Sequence, residues 1–188
     1  MWPWGHLAVA YLVYTMYCHA RDGRPPRGLP ALALAFGSQL PDLIDKPLAW
    51  SLGVLPGGRT LAHSVVGAAL VLSVVVVAVR RTGHRAVGPA VAIGYGVHLL
   101  TDLPPAVLTG DLREATFLAW PLLTPPDYET PASLAAGFLR YSMGTAEWIQ
   151  LGLVAVALGI WLRDGHPGLG TVRRGLARIG VSRDIRGR

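Results

Sequence analysis

Residues 61–79 constrain the fold more than any other stretch of this chain. After His63 and Ser64 comes an almost unbroken run of valine, leucine and alanine. Its length matches the roughly 20 apolar residues that carry one helix across a bilayer core. Further apolar runs lie at 5–18, 29–40, 87–103 and 146–162. The first two are shorter than the roughly 17 residues at the lower limit for a spanning helix. They would have to tilt, borrow flanking residues or turn back. The pattern predicts an all-α, multi-spanning helical membrane protein with four to five transmembrane helices. Residues 1–162 form its membrane domain and residues 163–188 a mobile basic cytoplasmic tail.

Composition points the same way. The 188 residues are 52% hydrophobic and 15% charged, against about 25% charged in soluble domains. A single cysteine, Cys18, excludes an internal disulfide and a thiolate metal cluster. The start, Met-Trp-Pro-Trp-Gly-His, lacks the basic opening of a cleaved signal peptide. Trp2, Trp4, Trp50, Trp120 and Trp148 suit an interfacial aromatic belt.

The formal net charge of +6 is not spread evenly. Three segments, 19–28, 80–86 and 163–188, hold most of the arginines, and they alternate correctly with five spans. Basic loops favour the cytoplasm, so the N-terminus is expected outside and the C-terminus inside, in a multi-pass protein of the cytoplasmic (inner) membrane. The basic tail then meets an anionic leaflet, which accounts for the charge with no nucleic-acid partner.

That topology sorts the polar residues near the spans. His6, Asp42, Asp45, Arg59, His63, His98 and Asp102 all fall at the outer face, whereas His19, His84 and His166 fall among the arginines and read as ordinary loop histidines. Asp42 and Asp45 lie in Gly37-Ser-Gln-Leu-Pro-Asp-Leu-Ile-Asp-Lys-Pro47, where Pro41 is expected to end any helix coming from 29–40. The 46–60 stretch reads as a loop with a short interfacial helix, and 106–144 as mixed and loop-like. His98 and Asp102 stand four apart, one above the other on a helix. Arg59 and His63 share that spacing if their helix starts early enough.

Acids beside an apolar span are costly unless solvated, paired or bound to a cation. Three imidazoles and three carboxylates make an N/O donor set suited to Zn²⁺, with Mn²⁺ or Fe²⁺ as alternatives. Each element alone has a plainer reading. His98 can simply donate to Asp102, the aspartates can be cap charges, and Arg59 can be their counter-charge. Their convergence on one face favours a metal site. The reading assigns His6, Asp45, His63, His98 and Asp102 to the metal and Asp42 and Arg59 to catalysis. It leaves open which of Asp42 and Asp45 is the ligand; the other would be a general base or would orient a ligand. The alternative is a non-enzymatic membrane protein whose His/Asp cluster is a structural network or a solute or partner site.

His6, Gly37-Ser-Gln-Leu-Pro-Asp-Leu-Ile-Asp45, Gly58-Arg-Thr-Leu-Ala-His-Ser64 and Gly96-Val-His-Leu-Leu-Thr-Asp102 together resemble the membrane-bound, metal-dependent hydrolases of bacteria and archaea (the YdjM-like group). The resemblance covers about residues 5–125. That group is in turn similar to zinc-dependent phospholipase C and P1-type nucleases, in which an N-terminal Trp, a nearby His, an Asp, a His and an H-x-x-x-D pair line a multi-zinc site. It implies a hydrolase acting on a phosphoester, a small molecule or a lipid headgroup, at the outer face of the membrane. Here Met1 precedes Trp2, and residues 103–162 contain no histidine. One or two ions are therefore implied rather than three.

Overall fold

The structure, a computed structural model, describes residues 1–127, 133, 135–136 and 143–186. Part of the 106–144 segment read as loop-like thus lies outside the described residues, as do residues 187–188 of the tail. The described residues are all helix, turn and loop, with no strand among them.

Helix α1, Pro3–Asp22, starts with proline in its first turn, where the missing N–H has no intrahelical partner to lose. It ends at Gly23, whose left-handed φ of 64° suits glycine. Helix α2, Gly28–Gly37, is short. The chain then turns at Ser38–Gln39 into α3, Leu40–Lys46, and one π-helical turn, Pro47–Ser51. The helix coming from 29–40 stops ahead of Pro41, at Gly37, and Pro41 sits in the first turn of a new one. The two acids three apart, Asp42 and Asp45, therefore ride on α3.

Helix α4, Val65–Thr82, is capped by Ser64, whose hydroxyl accepts from the Gly67 N–H at 3.0 Å. Arg59 and His63 precede that cap in a turn, so their four-residue spacing is not helical. Helix α5 is Val87–Thr101, and two 3₁₀ segments follow at Pro105–Thr109 and Leu112–Ala119. Helix α6 is Thr145–Arg163. The tail differs from expectation: the chain turns at 164–168 and continues as α7, Leu169–Arg186, which packs on α2.

Two helices among the described residues, α4 and α6, have both the length and the composition to cross a membrane, fewer than the four to five expected. The reason is a division of labour. Helices α1, α2 and α5 pack on one another around Ala10, Tyr11, Tyr14, Leu34, Ala90 and Val97. Helix α1 is long enough, but its tyrosines and histidines dilute its apolar character; α2 and α5 are short, with 10 and 15 residues. Helices α4 and α6 flank this core and expose Val66, Leu70, Val74 and Val77, and Trp148, Ile149, Val156 and Leu158. Such faces are unfavourable in water, by about 25 cal/mol per Å², and suit lipid.

Candidate metal centre

Helices α2 and α5 approach so closely that glycine is required at the contact. A Cβ on Gly94 would stand 2.5 Å from the Leu34 carbonyl oxygen, and one on Gly37 would stand 2.8 Å from that of Val91. The approach brings the Ser38 carbonyl at the end of α2 against His98 near the end of α5. His98 Nδ1–H donates to it at 2.7 Å.

Asp45 builds the other wall. Its carboxylate is fully buried and accepts from the backbone N–H groups of Thr60 (2.9 Å), Ala62 (2.8 Å) and His63 (3.2 Å). It also accepts from His63 Nδ1–H at 2.8 Å. The irregular 59–64 turn is thus wrapped around one side chain on α3. The Tyr95 hydroxyl of α5 donates to the Ala62 carbonyl and pins the turn from behind. Phe117, from the second 3₁₀ segment, covers the edge of His63 with ring centroids 6.4 Å apart.

The tautomers follow from these partners. A carbonyl and a carboxylate only accept, so both Nδ1 atoms carry the proton and both Nε2 atoms of the neutral rings present lone pairs. Those two nitrogens face each other at 3.2 Å. Asp42 Oδ1 lies 3.6 Å from His63 Nε2 and 3.7 Å from His98 Nε2, and Asp102 Oδ2 lies 3.5 and 3.9 Å from them. Asp42 Oδ1 is buried with no hydrogen-bond partner. Asp42, His63, His98 and Asp102 place one ligand atom each within 4.8 Å of one another, all buried. Tetrahedral zinc with bonds of about 2.0–2.1 Å spaces its ligands by about 3.3 Å. With both rings neutral the four converging groups are all acceptors, and such a set fits a cation.

Around this group sit three positive charges. Lys46 Nζ pairs with Asp42 Oδ2 at 2.5 Å, one helical turn along α3. Arg59 Nε donates to Asp102 Oδ2 at 3.0 Å. The Met1 amine meets Asp102 Oδ1 at 2.5 Å. His6 stacks on His98 at a centroid distance of 3.8 Å. The Thr101 hydroxyl donates to the Val97 carbonyl, so its oxygen takes the His6 Nδ1–H at 2.8 Å. His6 Nε2 lies 3.2 Å from Asp102 Oδ1.

All seven residues singled out in the sequence therefore meet at one end of the bundle. Asp42 occupies the place among the four converging groups that the sequence reading gave to Asp45, while Asp45 is saturated by other donors. His6 stands outside the four, on the far oxygen of Asp102. Sequence reasoning missed Lys46, Thr101, the Ser38 carbonyl and the Met1 amine. Only Lys46 left a signal, at helical spacing from Asp42.

A family model described as YdjM inner membrane protein matches residues 1–166. The chain belongs to this family. No curated protein and no solved structure matches it. The YdjM description and the two exposed apolar helices support a membrane location. The match ends three residues into the α6–α7 turn, so it covers every residue of the cluster.

Proposed function

We propose that this YdjM-family chain is a metal-dependent hydrolase of phosphoesters, with its site at the outer face of the cytoplasmic membrane. The observation that carries the reading is the pair of bare imidazole nitrogens 3.2 Å apart beside the orphaned Asp42 oxygen. With both rings neutral, three acceptors crowd together and repel unless a cation joins them. Asp42, His63, His98 and Asp102 would hold one divalent ion, zinc by the donor set. His6, across Asp102, is placed to serve a second. When bound, such an ion supplies Lewis acidity, polarising a phosphoryl oxygen and acidifying water.

The chain's own residues do the rest. Asp45 and the Ser38 carbonyl fix the two imidazole rings, as outer partners of metal-bound histidines do. Arg59 reaches from Asp102 into a cavity of about 380 Å³ bounded by Pro56, Trp120, Pro121 and Asp127. Its planar guanidinium suits a phosphoryl group at that mouth. The substrate is a small phosphoester or a lipid headgroup, since Arg59 lines a cavity six residues before the exposed apolar helix α4.

A second reading rests on charge balance. Met1, Lys46 and Arg59 already offset Asp42 and Asp102 without an ion, as a structural network would. Elemental analysis of the detergent-purified protein separates the two. The hydrolase reading expects about one or two equivalents of metal, the range such a mixed donor set supports. It also expects loss of metal and of phosphodiesterase activity in His98→Ala, and chelator and mutation effects that do not add. A metal-free protein after reconstitution, destabilised by Asp102→Ala regardless of chelator, would establish the structural network instead.

A further inference from the structure

The opposite end of the bundle carries a second cavity, of about 480 Å³, between the α1–α2 and α4–α5 connections. Both basic turns contribute to it: Arg21, Arg24 and Arg27 from one, His84 and Arg85 from the other. These turns are far apart in sequence and arrive together because α1 runs away from the metal centre while α5 runs toward it. With a rise of about 1.5 Å per residue, the helix places Asp22 roughly 24 Å along α1 from His6.

The charges there are unbalanced. Arg21 is held by the Tyr17 hydroxyl at 2.6 Å and by Asp22 at 3.6 Å. Asp164 is occupied elsewhere, accepting from Tyr11 and Thr15 at 2.8 and 2.7 Å. Among the described residues no carboxylate pairs with Arg24, Arg27 or Arg85. Helix dipoles do not compensate. Two helices, α1 and α4, end at this cavity and two, α2 and α5, begin there, so their terminal partial charges cancel. The positive potential comes from the arginine side chains.

Part of the lining is apolar. Leu29 and Pro30 in the first turn of α2, and Val87 in that of α5, share the cavity with the arginines, and Leu29 is exposed. A free anion has no use for such a wall, whereas a phosphate carrying acyl chains does. We infer that this cavity binds the phosphate headgroup of an anionic membrane lipid, with Arg24, Arg27 and Arg85 on the phosphate and the chains along Leu29 and Val87. Basic pockets between helices at a membrane surface are suited to this. The inference is independent of any metal at the other end.

The test uses the full chain in micelles containing equal phosphatidylglycerol and phosphatidylcholine, with retained lipid read by native mass spectrometry. Arg24→Gln/Arg85→Gln takes one charge from each turn. Arg80→Gln/Arg81→Gln removes two exposed charges at the same end but outside the cavity. The wild type should retain phosphatidylglycerol selectively. The cavity variant should lose that retention by roughly thirtyfold, at about fivefold per charge, and the control should keep it. Equal loss in both variants would reduce the effect to diffuse surface charge and overturn the inference. Equal retention of both lipids would overturn it too, as would displacement by millimolar inorganic phosphate, which would mark a free-anion site.

Discussion

The two ends of this bundle use histidine and charge in opposite ways. At one end His6, His63 and His98 are buried, each with Nδ1 committed to an acceptor and Nε2 aimed at a carboxylate or another ring. At the other end His84 and the arginines of the basic turns are exposed and stand clear of carboxylates apart from Arg21. Side-chain type does not separate the two groups. Orientation by a second contact does: a histidine whose second nitrogen is fixed has its first nitrogen aimed, and an aimed, buried lone pair requires a partner.

The hardest way to break the comparison is to remove Asp102. Its two oxygens meet the Met1 amine, His6, Arg59 and His63. Asp102→Ala leaves those groups without their shared carboxylate, and breaking a buried ion pair costs about 3–5 kcal/mol. Thermal unfolding in detergent should show a large drop, and elemental analysis should show no retained metal. A variant that stays as stable as wild type would mean that the cluster is not coupled.

Asp45→Asn comes next. It keeps the shape but replaces one acceptor oxygen with a donor facing backbone N–H groups. His63 then loses its fixed tautomer. A metal site should weaken by about 10–100-fold, the usual effect of losing an orienting partner, as measured by competition with a chromophoric chelator. The loss should be smaller than for Asp42→Ala, which removes a converging ligand. The reverse order would return Asp45 to the ligand position that the sequence suggested.

Packing supplies a third test. Gly94→Val pushes two methyls and a Cβ into the Leu34 carbonyl and the Ser38 N–H. Overpacking of this kind costs about 1–3 kcal/mol, and here it would move the Ser38 carbonyl off His98. Gly96→Ala, two residues on, has open space around its Cβ. Replacing a helix-interior glycine there should stabilise by up to about 1 kcal/mol. Paired melting curves would read both signs.

The sequence revealed the membrane class, the helices near 65–82, 87–101 and 145–163, and the convergence of seven polar residues on one face. These follow from periodicity and from where arginines fall, both of which are written in residue types. What it concealed is backbone-mediated. Pro41 was legible as a breaker but not as the first turn of α3, because proline serves either role until the neighbouring turn is known. The choice between Asp42 and Asp45 depended on three backbone N–H groups of the 60–63 turn, which no side-chain pattern encodes. The number of apparent spans fell because α2 and α5 are only 10 and 15 residues long, and because α1 carries tyrosines and histidines among its apolar residues. The tail's helicity was hidden under its charge.

The smallest expected effect sharpens the comparison from the other side. His84→Ala removes an exposed ring at the basic end, and surface substitutions of this kind usually stay within about 0.5 kcal/mol. Metal content should be unchanged, since no contact links His84 to the cluster at the far end of α5. Melting temperature should shift little with or without chelator. The matched change His98→Ala alters both readouts and makes stability insensitive to chelator. If His84→Ala also lowered metal content, the two ends would be coupled through α5, and the basic cavity would then act on the metal centre rather than merely share a bundle with it.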